Sequence, residues 1–258
     1  MLIDIQVHLH YTFAQRTDLL MQIEAAATPS QTIVNASIGL SHTHAFSRVG
    51  AEEEVGERIW LQMDDALICD YTATIEIDRP PVDLVQLKAQ PLHLLSADTV
   101  KYLLPSRYCH ADDFLNFVHF EFADLSGGAR VAAMAQWINE RFVYAPGTTN
   151  AMTTDLDTFA QRQGVCRDFA HMLVSLCRAS AIPARFVSCF APDVNPPDFH
   201  AVAEVYLEGG WHLVDPSGMA APETIACIGV GRDAADVAFL TSFDAIALQA
   251  QWVRVSRR

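Results

Sequence analysis

Between Gly164 and Pro183 the chain reads as a helix with most of its circumference buried. Arg167, Asp168, His171, Ser175 and Arg178 recur at three- and four-residue spacings and form one polar stripe. Phe169, Ala170, Met172, Leu173, Val174, Leu176 and Cys177 fill the rest of the surface. Pro183 cannot continue a helix and stops it. Gly164 is read as the left-handed residue that ends a shorter helix over 156–162. Cys166 then falls in the first turn of the buried helix. Unpaired backbone N–H groups and the positive end of the helix dipole favour a thiolate there over a thiol. Most buried cysteines are inert packing, so this position gains meaning from what lies downstream.

A helix enclosed in this way needs a large core around it. With 258 residues, 51% hydrophobic and 19% charged, the chain can build one large domain or two smaller ones. The formal net charge of −14, with no Lys/Arg cluster, argues against nucleic acid and against an anionic membrane surface. Met1-Leu2-Ile3-Asp4-Ile5 offers no basic region or cleavage site, and no apolar run reaches membrane-spanning length. The six cysteines (69, 109, 166, 177, 189 and 227) form no Cys-x-x-Cys pair. That usage fits free thiols in a reducing compartment, so a cytoplasmic location is expected.

In chain order, residues 2–11 alternate apolar and polar as a half-buried strand does. Strand-like runs follow near 18–25, 31–38, 57–63 and 67–77, the last two joined by a tight turn at Asp64-Asp65. These predict a small antiparallel β-sandwich over 1–80, closed by Pro80-Pro81. Helices are expected over 112–124 and 129–143, with Gly127-Gly128 between them. A loop over 145–154 leads to Thr154 as a helix cap. Beyond Pro183, strands are expected over 184–190, 200–207, 211–215 and 225–230, with a closing strand near 248–255. Helices first and an antiparallel sheet afterwards make residues 81–258 an α+β domain.

The pair of strands 200–207 and 211–215 reads as a hairpin turning at Glu208-Gly209. With a two- or four-residue loop, Asp215 stands opposite Val202 and diagonal to His200 on the same face. Cys166, His200 and Asp215 then supply a nucleophile, a base and a group that orients the base. Competing residues fit less well. His171 and Asp168 lie on the helix stripe, the former read as a solvated or hydrogen-bonded histidine and the latter as a capping carboxylate. His212 alternates to the face opposite Asp215, and Glu204 is either a supporting carboxylate or the partner of an arginine. His8/His10 and His42/His44 share strand faces in pairs, yet no third ligand has a helpful spacing, so neither a metal nor a cofactor is expected.

Taken together, these segments resemble the bacterial transglutaminase-like cysteine protease family. The resemblance is carried by Gly164-Val165-Cys166-Arg167-Asp168-Phe169-Ala170-His171, Ile182-Pro183-Ala184-Arg185, His200-Ala201 and Gly210-Trp211 with Asp215-Pro216. Tyr144-Ala145-Pro146-Gly147-Thr148-Thr149, Gly231-Arg232-Asp233-Ala234-Ala235-Asp236-Val237 and the all-β start are also similar to pieces of that family. The resemblance implies a papain-like core with a Cys-His-Asp triad at Cys166, His200 and Asp215. Two departures, Cys189-Phe190 and His200-Ala201-Val202, spare the triad and bear on the shape of the cleft. The chemistry implied is hydrolysis of peptide or side-chain amides through a thioester. Interception of that thioester by an amine would give transglutaminase activity, and a peptide-binding scaffold without turnover is the alternative of another class. The oxyanion donors expected are the Cys166 N–H and a side chain from 144–163, with Gln161 and Gln163 as candidates. The β-domain is open to three roles: structural flank, cleft wall or contact in a homo-oligomer.

Overall fold

A computed structural model describes residues 1–258. Six strands come first: β1 (Leu2–Phe13), β2 (Thr17–Met21), β3 (Gln31–Leu40), β4 (Ala45–Gly50), β5 (Glu57–Met63) and β6 (Ala66–Ile77). A mostly helical stretch follows with α1 (Ala97–Val100), α2 (Leu115–Glu121), α3 (Gly127–Arg141), the short strand β7 (Val143–Tyr144), α4 (Asp155–Gln161), β8 (Gln163–Gly164) and α5 (Cys166–Ala179). The chain ends in strands: β9 (Ala184–Phe190), β10 (His200–Leu207), β11 (Gly210–Val214), β12 (Ala226–Gly231), β13 (Leu240–Ser242) and β14 (Ile246–Arg257). No helix is long and apolar enough to cross a membrane.

Two four-stranded sheets, ordered β14-β1-β6-β3 and β13-β2-β5-β4, form the sandwich. The alternation in β1 buries Ile3, Ile5, Val7, Leu9, Tyr11 and Phe13 against Leu19, Met21, Ile59, Leu61 and Met63 of the facing sheet. The closing strand was expected to lie with residues 81–258. Instead β14 pairs antiparallel with β1 along its length, Ile3 opposite Arg257 and Phe13 opposite Ile246. β13 likewise pairs with β2. Both ends of the chain therefore build the sandwich, for a backbone reason: the outer edge of β1 is a row of unpaired N–H and C=O groups that β14 satisfies. The sandwich core also takes in Phe190, Ala226 and Ile228 from β9 and β12.

The third sheet, β11-β10-β9-β12, backs onto α5. Every residue of α5 from Asp168 to Arg178 is buried, the polar stripe included. Around it lie α3, α4 and the 104–114 segment, so the stripe faces protein on all sides. The helix expected over 112–124 is shorter, α2 preceded by a 3-10 turn over Ala111–Phe114. Gly127 and Gly128 open α3 instead of separating two helices. Their size is the reason, because the linker after the sandwich crosses the start of α3, and a Cβ on Gly128 would lie 1.6 Å from the Leu84 carbonyl oxygen. Gly50, in β4, has nothing within 4 Å of such a Cβ. Gly128→Ala should therefore destabilise the fold by about 1–3 kcal/mol through overpacking against backbone that cannot yield. Gly50→Ala should stay within about 0.5 kcal/mol. Urea-unfolding midpoints of the two variants check this, and equal midpoints would contradict the linker's seat on α3.

Candidate active site

Cys166 is the first residue of α5, and the helix start is held tightly. Val165 is extended, and its N–H donates to Asp168 Oδ2 at 2.9 Å. Arg167 Nη2 donates to Asp168 Oδ1 at 2.9 Å, so both carboxylate oxygens are engaged. Asp168 is thus the capping group expected of it. Gly164 does not have the left-handed conformation predicted for it; Arg162 does, at φ 56°. The Arg162 guanidinium packs over Phe159, 4.0 Å from the ring centroid, and this contact accompanies the strained backbone. Gly164 is needed for closeness instead, since a Cβ there would come within 2.8 Å of the Asp168 Cβ.

Among the six cysteines Cys166 alone is half-exposed, and the other five are buried. Burial pushes the thiols of Cys69, Cys109, Cys177 and Cys227 up to about 12, and that of Cys189 well above its ordinary value. These five are packing residues.

The β10–β11 hairpin turns through two residues, Glu208 and Gly209, at φ 48° and 83°. Positive φ at both positions matches the turn class whose twist suits adjacent strands. Leu207 faces Gly210 and Ala203 faces Val214, so one further step sets Asp215 level with Val202 and diagonal to His200. His200 Nε2 donates to Asp215 Oδ2 at 2.9 Å, with the two side chains 0% and 2% exposed. Asp215 also accepts from the Ser217 N–H at 2.8 Å, the Ser217 hydroxyl at 2.6 Å and the Ala220 N–H at 2.8 Å.

Burial alone would push the His200 imidazolium down. The Asp215 hydrogen bond and the adjacent Cys166 sulfur outweigh it and raise the pKa to about 9. For Asp215, burial opposes ionisation, and the contacts from His200 and Ser217 overcome this to hold the carboxyl below its usual range. The second ring nitrogen, Nδ1, is buried and has no well-aligned hydrogen-bond partner in the resting protein. Cys166 lies near enough to bear on the ring's ionisation. Loose contacts of this kind are common before substrate binds.

The remaining histidines and carboxylates have other partners. His171 is not solvated: it is fully buried between Tyr108 and Phe186, and its Nε2 accepts from the Ala234 N–H at 3.1 Å. Burial, aided by Arg167 and Arg178, keeps it neutral by lowering its pKa. His212 donates to the Leu207 carbonyl at 3.2 Å. Glu204 pairs with Arg185 at 2.7 Å, and that guanidinium packs on Trp211. His8 is bonded to Asp70 at 2.7 Å, and His44 to Asp64. No three His, Cys, Asp or Glu side chains gather in an arrangement suited to a metal. A cavity of about 880 Å3, lined in part by Asp215, lies between the 79–84 linker and Trp211, and Cys166 is not in its lining.

Gln163 Nε2 donates to Gln161 Oε1 at 3.5 Å, so these two face each other at the protein surface and not the helix start. Two features had no signal in the sequence. The Ser217 and Ala220 contacts to Asp215 arise from a turn beyond the strand. Tyr144 comes beside Gly164 through a parallel bridge of two residues, too short to leave a periodicity.

The family described as the transglutaminase-like superfamily matches residues 121–216, which include Cys166, His200 and Asp215. A candidate cysteine protease from Cytophaga hutchinsonii, solved as a crystal structure, superposes with a TM-score of 0.94 at 31% identity, covering 99% of this chain and 90% of that one. An uncharacterised protein of Mycobacterium leprae is 36% identical over 120 residues, 42% of each chain. The protein-glutamine gamma-glutamyltransferase of Pseudomonas aeruginosa is 37% identical over 111 residues, 38% of this chain and 17% of that protein. The matched stretches thus span less than half the length of these two curated relatives. Family match and whole-chain likeness coincide on the segment from α5 to β11, and on that ground the chain belongs to the transglutaminase-like superfamily.

Proposed function

We propose that the chain is a thiol-dependent hydrolase of peptide or side-chain amides, with Cys166 as nucleophile, His200 as base and acid, and Asp215 as the group that orients His200. The observation that carries the reading is the 2.9 Å contact between two fully buried groups, His200 Nε2 and Asp215 Oδ2, beside a cysteine at a helix start. With a pKa of about 9, His200 holds the proton at neutral pH, which pairs an imidazolium with the Cys166 sulfur. The sulfur attacks the amide carbonyl carbon. The imidazolium gives its proton to the departing amine, and the acyl group stays on sulfur as a thioester. Water, deprotonated by the now neutral His200, then releases the acid and frees the sulfur. Asp215 stabilises the charged ring and fixes its tautomer throughout.

Amine transfer by the same thioester is the second reading. It is favoured by the local likeness to a protein whose name is protein-glutamine gamma-glutamyltransferase. Product analysis with and without a primary amine separates the two outcomes. In either case the substrate we propose is a peptide or protein, reaching a Cys166 that is half-exposed and does not line the 880 Å3 cavity.

Iodoacetamide at mildly acidic pH should alkylate Cys166 ahead of the five buried cysteines. Exposure alone would favour that order, so the decisive comparison is His200→Ala, which should slow Cys166 alkylation by about tenfold or more. Equal rates in the two proteins would sink the ion-pair idea. Cys166→Ala should reduce turnover of amide or ester substrates by about 10⁴-fold or more while binding persists.

The pH dependence follows from His200. Its folded pKa lies above the ordinary 6.5, so the stability it adds is complete below pH 6.5 and lost as pH rises through about 9. The alkaline limb of kcat/KM should fall at the same pH. Asp215→Asn should move that limb down by about 1–2 units, because the opposing charge is gone. An unmoved limb in the pH–rate profile would remove Asp215 from the role given to it.

A further inference from the structure

We propose that Cys189 and Cys227 are a redox pair that closes to a cross-strand disulfide by exchange with a low-molecular-weight disulfide, Cys227 attacking and Cys189 resolving. The placement follows from the sheet register. Cys189 of β9 stands opposite His200 of β10 on one side and opposite Cys227 of β12 on the other, so the three side chains line up on one face. Cys189 and Cys227 accordingly pack in the same apolar cluster, whereas Ile228, the extra residue of the bulge that follows, turns into the sandwich core. Both backbone groups of Cys227 point away from β9. Its N–H donates to Gln31 Oε1 at 2.7 Å, and its carbonyl accepts from Gln31 Nε2 at 2.9 Å and from the Ala26 N–H at 2.8 Å. That orientation marks Cys189 and Cys227 as a non-hydrogen-bonded pair, the kind that brings side chains closest. The α-carbons of such a pair are about 4.5 Å apart, within the roughly 4.4–6.8 Å that a disulfide spans. Both residues are free thiols.

Access to the pair is one-sided. Cys189 is 0% exposed, whereas Cys227 belongs to the lining of the 880 Å3 cavity. Arg79 Nη1 is held by the carbonyls of Pro222 at 2.6 Å and Ile225 at 2.9 Å, and its Nη2 donates to the Cys227 sulfur at 4.0 Å. A fixed guanidinium there favours the thiolate as it forms. Burial, and then Glu204, hold Cys227 as a thiol at rest, so closure is slow and both residues serve as packing until a disulfide enters. In the first exchange Cys227 loses its proton to solvent, its sulfur bonds to one sulfur of the reagent, and the other leaves as a thiolate. The Cys189 sulfur, its proton likewise lost, then attacks the Cys227 sulfur and expels the second small thiolate. Two protein thiols and one small disulfide become one protein disulfide and two small thiols. The new bond ties β9 to β12 and closes a loop that contains the whole β10–β11 hairpin, with His200 and Asp215 inside it.

The test uses the full chain carrying Cys166→Ser, which keeps the reagent off the exposed sulfur and makes the result independent of any hydrolase activity. The protein is incubated with hydroxyethyl disulfide at mildly alkaline pH, where thiolate is more abundant. The intact mass should fall by two hydrogens with no adduct retained, and peptide mapping without reductant should join the Cys189 and Cys227 peptides. Tm should rise by at least about 5 °C, because the bridge restrains a long loop in the unfolded chain. Dithiothreitol should reverse both changes. Adding Cys189→Ala should leave Cys227 carrying the hydroxyethylthio adduct, and adding Cys227→Ala should leave Cys189 unmodified with Tm unmoved by the reagent. An unchanged mass in the Cys166→Ser protein overturns the proposal, as does an adduct that rests on Cys227 beside an intact Cys189. A bridge between any other two cysteines, or a bridge at 189–227 without a rise in Tm, overturns it equally. These readings come from the Cys166→Ser protein itself, so they hold even where a second substitution prevents folding.

Discussion

Everything at the candidate site depends on one two-residue turn. Strand side chains alternate with period two, so a single added or lost residue between β10 and β11 would send Asp215 to the other side of the sheet. Glu208 and Gly209 fix the count, with Leu207 facing Gly210. The consequence is electrostatic. A buried imidazolium or carboxylate is costly alone, and breaking such a pair by removing one partner costs about 3–5 kcal/mol. His200 and Asp215 escape that cost only together, with Ser217 and the Ala220 N–H taking up the remaining acceptor sites of the carboxylate. The fold is thus committed to this register by the same contact that tunes the histidine.

α5 imposes a second constraint of the same kind. A helix buried on every side must satisfy its polar side chains within the protein. Ser175 donates to Asp155, Arg178 to the carbonyls of Ala184, Leu104 and Arg232, and His171 accepts from Ala234. Each bond ties a different loop to the helix. The helix axis, and with it the position of Cys166, is defined from the 104–106, 155 and 232–234 segments at once. A nucleophile needs that rigidity, since small misplacements of a reacting group are expensive in rate.

Much of this was legible in the sequence, and the rest was not for identifiable reasons. The period-two pattern of β1, the burial of α5 and the turn at Glu208-Gly209 are local signals, and each leads to the observed element. The cap at Asp168 and the pairing of Glu204 with an arginine also follow from residue type and position. What failed was long-range or depended on atomic closeness. β14 alternates like any edge strand, and nothing in it names β1 as its partner. Periodicity separates the polar stripe of α5 from the apolar surface but cannot tell water from a neighbouring loop, so it leaves His171 either solvated or hydrogen-bonded, and the structure shows the second. Gly164 and Gly128 look like turn residues and are in fact places where another chain segment passes too close for a Cβ.

The sandwich is part of the same machine by virtue of its connections. The loop before His200 rests on it: Gln251 of β14 donates to Asp198 at 3.0 Å, Phe199 stacks on Phe239 at 4.7 Å, and Phe190 stacks on Tyr71 of β6. The segment from β12 to β13 carries the other half of the coupling. On its way back to the sandwich it presents Asp233 to the Tyr108 N–H at 2.9 Å and the Ala234 N–H to His171. Peeling β13 and β14 away would therefore loosen the bond that satisfies His171 and the support beneath the His200 loop together. Two layers that look separable along the chain are held as one cooperative body, because the strands completing the first are the continuation of the loop that completes the second.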